Sequence, residues 1–150
     1  AEVAVGRMLK QLPLQRIAYN AIPSVVYTNP EIACIGLTEK DLNDIREGDF
    51  APSMSTDKPF VPYEVHKLPM TFSGRFVAEN EGETGLCKVI VDSRNKTIIG
   101  VHMIGNPCSE FVAAASFAVR MGYTVGEFKQ VVFPHPTVGE VLRETIMESL

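Results

Sequence analysis

The pattern that most constrains the fold lies mid-chain. Two β-branched apolar runs, 86–92 (Leu-Cys-Lys-Val-Ile-Val-Asp) and 97–104 (Thr-Ile-Ile-Gly-Val-His-Met-Ile), flank the polar stretch Ser93-Arg94-Asn95-Lys96. Valine and isoleucine are stiff at χ1 and suit a pleated, half-buried surface. Runs of strand length on either side of a short polar turn predict a hairpin. Similar runs at 64–70 and 72–78 come just before it, so four strands in an antiparallel meander are expected over 64–104. Two more strands are expected at 22–27 and 32–37, separated by the turn pair Asn29-Pro30.

Helices frame these strands. Val3, Ala4, Met8 and Leu9 have helical spacing with no capping residue before them, so the sequence reads as opening inside a helix whose earlier residues have been removed; Pro13 should end that helical region. Thr38 with Asp41, and Leu37 with Leu42 in staple positions, predict a short helix to about residue 45. Asn106-Pro107 reads as a cap followed by a first-turn proline. It should open a helix in which Ala113, Ala114 and Ala115 permit close approach of a neighbour and which Gly122 ends. Thr124 with Glu127 forms a capping box stapled by Tyr123 and Phe128. Thr137 with Glu140 forms another, starting a helix whose apolar stripe is Val138, Val141, Leu142, Thr145 and Ile146. Strands followed by helices predict an α+β domain, an antiparallel sheet with flanking helices. The stretch 46–62 holds three prolines and shows no period, so it reads as a variable loop without an assigned function.

At 150 residues, 45% apolar and 21% charged, the chain has the bulk of one globular domain. Its apolar stretches, such as 111–121, are too short to span a membrane and carry no targeting layout, so a soluble, cytoplasmic protein with no membrane partner is expected. Fourteen Lys and Arg against eighteen Asp and Glu leave a net charge of −4 with the basic residues scattered, which argues against nucleic acid as a partner. Cys34, Cys87 and Cys108 are odd in number and widely spaced, so neither a disulfide framework nor a metal site is expected.

The segment with the most chemistry is Phe133-Pro134-His135-Pro136-Thr137-Val138-Gly139-Glu140. Each proline pushes the residue before it toward extended backbone, so His135 should project from a stiff loop. Two readings are open. In one, Glu140 reaches back to a helix-end amide and His135 is an ordinary loop histidine. In the other, the carboxylate orients one ring nitrogen and leaves the second to exchange protons with a substrate, which suits a side chain with an ordinary pKa of about 6.5. Spacing permits both. No nucleophile motif stands nearby, Cys108 at a helix start is expected to pack, and His66 and His102 lack metal-ligand spacing.

His135-Pro136-Thr137 with Glu140 resembles the His-Pro-Thr-x-x-Glu signature that closes the pyridine nucleotide-disulfide oxidoreductases. Ile22 through Glu31 resembles their Pro-x-x-x-(Tyr/Phe)-Thr-x-Pro-Glu stretch, and 36–39, 85–91 and 99–105 match in order. The resemblance implies a dimerisation domain at 22–150 preceded, over 1–21, by the tail and linker of an FAD-binding domain. It implies a homodimer in which His135 acts as acid/base toward a redox-active cysteine pair of the other subunit, with Glu140 hydrogen-bonded to it. The backbone of Phe133, Pro134 and His135 would lie near that subunit's flavin, and the His135-Pro136 peptide would be cis. FAD and NAD are the implied cofactors of the longer protein. The chain itself has neither a glycine-rich dinucleotide motif nor a C-x-x-x-x-C pair, so it should bind no cofactor and turn over no disulfide alone.

Within the family, Thr-Val-Gly-Glu-Val-Leu-Arg-Glu at 137–144 is most similar to the dihydrolipoamide dehydrogenases, whose partners would be the dihydrolipoyl groups of a 2-oxo acid dehydrogenase complex. Phe133 departs from their frequent histidine at that position. A glutathione-type or other disulfide reductase, or a non-catalytic self-association module, is the alternative.

Overall fold

A computed structural model describes residues 2–9, 18–47 and 61–148. The hairpin forms as the sequence implies. Strand β4 (Leu86–Asp92) pairs antiparallel with β5 (Ile98–Ile104), with Leu86 opposite Ile104 and a register shift at Ile90/Val91. The turn between them is tied by Asp92, whose carboxylate accepts from the Arg94 amide at 2.9 Å and from its guanidinium at 2.7 Å. Three further strands complete the sheet: β1 (Ser24–Val26), β2 (Ile32–Gly36) and β3 (Tyr63–Leu68). All pairs are antiparallel and the order is β1-β2-β5-β4-β3.

One face of this sheet is apolar and covered. Alternation places Cys87, Val89 and Val91 of β4 beside Val101 and Met103 of β5 and Ala33 and Ile35 of β2, all 2% exposed or less. Onto them pack α4 (Cys108–Met121), through Val112, Ala115 and Ala118, and α6 (Glu140–Met147), through Val141, Leu142 and Ile146. The other helices are α1 (Glu2–Met8), α2 (Glu39–Glu47), α3 (Gly74–Glu79) and α5 (Val125–Phe128). On the opposite face α2 is fastened by Lys88 to Glu39 at 2.9 Å and by Tyr63 to Asn43 at 3.3 Å. No helix among the described residues is long and apolar enough to cross a membrane.

Several local expectations hold. Thr38 and Asp41 bond each other's backbone amides at the start of α2, Thr124 and Glu127 form a complete capping box on α5, and Gly122 closes α4 at φ +67°. The stripe Val138, Val141, Leu142, Thr145 and Ile146 is buried throughout.

Others are corrected. The run 72–78 is not a strand: a short 3-10 turn at Met70–Phe72 leads into α3. The buried residues are Met70, Ser73 and Phe76, three apart, while Phe72 and Val77 face out, so the burial period is helical. The Ser73 hydroxyl caps this helix by accepting from the Phe76 amide at 3.2 Å. The strand expected at 22–27 narrows to Ser24–Val26. Asn106 does not cap α4, since the helix starts at Cys108 with Pro107 before it and no side-chain cap of its own. Asn106 instead accepts from the Glu31 amide at 2.9 Å and donates to Asn29 at 2.7 Å. The Glu31 carboxylate then accepts from the Ser109 amide at 3.0 Å, so the helix end is served from another strand's approach. The Pro13 helix end and most of the 46–62 loop fall outside the described residues.

Gly105, at φ +138°, lets α3 lie against the connection from β5 to α4. A Cβ there would stand 3.0 Å from the Phe76 ring and 3.1 Å from the Met70 side chain. Phe76 is fully buried at this junction. Replacing it with alanine should cost about 3–5 kcal/mol by loss of transfer free energy and opening of a cavity. Chemical denaturation of the Phe76→Ala variant measures this directly.

Candidate functional site

The His-Pro-Thr loop joins α5 to α6 and is held at both ends by the core. At its entrance the Phe133 ring packs on Phe128 of α5, centroids 5.9 Å apart; at its exit Val138 is buried. Between these anchors His135 stands out, its side chain 81% exposed, and the His135-Pro136 peptide is cis.

Glu140, the first residue of α6, divides its carboxylate between two donors. One oxygen accepts from the Thr137 amide at 2.8 Å, and the other lies 2.9 Å from His135 Nδ1. The sequence left open a helix-end role or an imidazole partner for Glu140; the carboxylate fills both at once. A carboxylate only accepts, so Nδ1 carries the hydrogen. Nε2 has no hydrogen bond among the described residues, and the side chain that carries it is mostly in solvent. Glu140 is held below its ordinary carboxyl pKa, first by the Thr137 amide and then by the imidazole, against the opposing effect of burial.

The capping box expected here is half formed. Thr137 does not return a side-chain bond to α6; its hydroxyl donates to the Pro134 carbonyl at 2.8 Å, and Gly139 occupies the cap position without a side-chain bond. The Thr137 carbonyl accepts from the Ser73 hydroxyl at 3.0 Å. This tether comes from the segment misread as a strand. Its local signal was a Ser-Gly pair ahead of a helical burial period. Beside the loop lies an open groove of about 410 Å³, lined by Phe133, Pro134 and Pro136 together with Phe111 and Pro107.

The other candidates do not join this site. Cys87 and Cys108 are fully buried free thiols, and burial pushes them up to about 12 and about 11 respectively. Cys34, half-buried, is also pushed up by burial. A position at the start of α4 therefore does not activate Cys108. His102 Nε2 is 3.0 Å from the Leu37 carbonyl, with burial lowering its pKa, and His66 Nε2 is buried 3.6 Å from Glu64. No cluster among the described residues could hold a metal ion.

An α+β fold of this topology with a cis His-Pro loop and a glutamate on its imidazole marks out a class, and sequence comparison agrees. The profile of the pyridine nucleotide-disulphide oxidoreductase dimerisation domain matches residues 22–146, and the chain belongs to that family. Within it the chain is similar to dihydrolipoyl dehydrogenases. It is 36% identical to the mitochondrial enzyme of Caenorhabditis elegans over 128 residues, 85% of this chain and 23% of the relative. It is also 36% identical to the dihydrolipoyl dehydrogenase of Thermus scotoductus over 123 residues, 82% of this chain and 23% of the relative. The chain thus spans about a quarter of the length of the curated relatives it matches. Among solved structures, LpdA of Mycobacterium tuberculosis shares the fold with a TM-score of 0.79 at 21% identity, covering 98% of this chain and 28% of that one. The HOCl-induced flavoprotein disulfide reductase RclA of Escherichia coli shares it with a TM-score of 0.74 at 19% identity, covering 95% and 30%.

Two measurements follow from the site's chemistry. Because its folded pKa is depressed, Glu140 contributes stability that is complete above the ordinary carboxyl value of 4.5 and is lost as pH falls through the lower folded value. Unfolding free energy measured against pH should show this acid loss in the wild type and less of it in Glu140→Gln. The thiols should also resist alkylation. At neutral pH iodoacetamide should leave Cys87 and Cys108 unmodified in folded protein and label both after unfolding, as read by mass spectrometry.

Proposed function

We propose that this domain serves a homodimeric, FAD- and NAD-dependent dihydrolipoyl dehydrogenase by presenting His135 as the acid/base group to the active site of the other subunit. The observation that carries this reading is the forked Glu140 carboxylate, which orients the imidazole through Nδ1 and leaves Nε2 exposed. A dithiol must lose protons to attack a disulfide, since the thiolate is the nucleophile. Nε2 accepts such a proton, and the Glu140 carboxylate offsets the positive charge the ring gains. The same nitrogen returns the proton when a thiolate leaves.

The chain's own thiols are buried and raised, so the sulfur that exchanges protons with His135 belongs to a substrate or to residues outside this chain. The attacked disulfide, a cysteine pair outside this chain, would take the dithiol's two electrons, and a bound FAD would supply the route from that reduced pair to NAD. Phe133, Pro134 and His135 could border a flavin with their backbone, but the glycine-rich loop needed to hold one is absent from the chain, so no turnover is expected from it alone.

Self-association fits the surface. Phe117 and Met121, one turn apart on α4, and Val132 of the loop before the site are 69%, 63% and 90% exposed, large apolar side chains that contact with a second copy would cover. The similarity to dihydrolipoyl dehydrogenases supports the dihydrolipoyl groups of a 2-oxo acid dehydrogenase complex as partners. Free thiols suit a reducing compartment such as the cytoplasm.

In the full-length enzyme, His135→Gln should lower kcat for dihydrolipoamide by roughly 10²–10⁴-fold, the usual contribution of a positioned acid/base, with flavin content and dimer retained. Unchanged turnover by a folded dimer would defeat the reading.

A further inference from the structure

Ser73 is nowhere near His135 in sequence, yet it holds the loop that carries it. Its side chain is 4% exposed, and its hydroxyl makes two bonds. It accepts from the Phe76 amide at 3.2 Å, so its hydrogen is free to donate, and it donates to the Thr137 carbonyl at 3.0 Å. Thr137 is the residue through which the loop is organised: its amide donates to Glu140 and its hydroxyl to the Pro134 carbonyl, on either side of His135. All three polar groups of Thr137 are therefore engaged, and one of them by a residue sixty-four positions away. The α3 cap in turn rests on the buried Phe76, which fixes Ser73 against the core.

We infer that Ser73 is a positioning residue for the His135–Glu140 pair, acting through the Thr137 carbonyl to hold the imidazole at the angle from which Nε2 exchanges protons. This rests on the functional reading above. His135 is exposed and its loop has no sheet partner, so the side-chain bonds set its orientation. Displacement of a reacting group by about 1 Å can lower a rate by about 10²-fold.

The test is a double-mutant cycle in the full-length oxidoreductase, assayed with dihydrolipoamide. Ser73→Ala should lower kcat about tenfold with KM little changed, because the loss is in orientation rather than in substrate binding. Ser73→Thr, which keeps both hydroxyl bonds, should restore it. In the His135→Gln background Ser73→Ala should change kcat by less than about twofold, since a residue that acts through His135 has nothing left to position. Thermal unfolding and flavin absorbance verify that each variant is folded and loaded. Should the alanine variant fold poorly, Ser73→Gly removes the hydroxyl at a cap position glycine tolerates.

A folded Ser73→Ala or Ser73→Gly enzyme with wild-type kcat overturns the inference, as does an equal loss in the His135→Gln background. If His135→Gln itself keeps full turnover, the functional reading fails first. If His135→Gln loses turnover while Ser73→Ala does not, only the role of Ser73 fails.

Discussion

The structure depends on covering one face of a five-stranded sheet, and α6 is the helix that makes this constraint matter for chemistry. Val141, Leu142 and Ile146 are each 1% exposed or less against β4 and β3. Burial of side chains of this size contributes about 1.5–3 kcal/mol apiece. The axis and rotation of α6 are therefore set by the core. Once they are set, Glu140 at the first turn has no freedom to choose where its carboxylate goes, and the amide and imidazole that meet it lie on the chain just entering the helix.

The relative magnitudes show what the imidazole–carboxylate contact is for. An ion pair with one partner mostly in water is worth about 0–1 kcal/mol, less than a single buried valine of the same helix. Removing it would hardly change whether the domain folds. What it fixes is which ring nitrogen holds the hydrogen, and the acid/base role proposed for His135 rests on that property. The bond from the Thr137 amide differs in kind, because it satisfies a donor at a helix start and is the first cause of the depressed Glu140 pKa. One carboxylate thus couples a structural requirement to an orienting one.

What could be read from the sequence follows the range of the interactions. The hairpin at 86–104 and the capping boxes at Thr38 and Thr124 are made by residues within a few positions of each other, and their patterns appear directly in the chain. His135 and Glu140 are five apart, so their meeting was foreseeable, although the double role of the carboxylate was not. The failures have local and distant causes. The apolar residues at 72–78 look like a strand until the Ser73 cap and the burial of Met70, Ser73 and Phe76 impose a period of three. Asn106 looks like a cap until Asn29 and Glu31, seventy-seven and seventy-five positions away, claim its side chain. Thr137 looks like a capping-box partner until Pro134 takes its hydroxyl. Only Asn106 lost its pattern to partners that the folded topology supplies; at Ser73 and Thr137 a competing bond three positions away won.

The acid/base role proposed for His135 needs an acid to work on, and the sulfurs of the described core are desolvated thiols well away from activation, one of them at the start of a fourteen-residue helix. Burial opposes the charged thiolate more strongly there than the helix start favours it. Nε2 has no hydrogen bond among the described residues, while Phe133, Pro134 and Pro136 of its loop line a groove shared with Phe111, Arg75 and Glu110, and Val132 of the same loop is 90% exposed. An exposed apolar side chain and an imidazole with one unbonded nitrogen on the same loop fit the proposed composite site, in which contact with a second surface would dry the loop and bring the reacting sulfur to the imidazole.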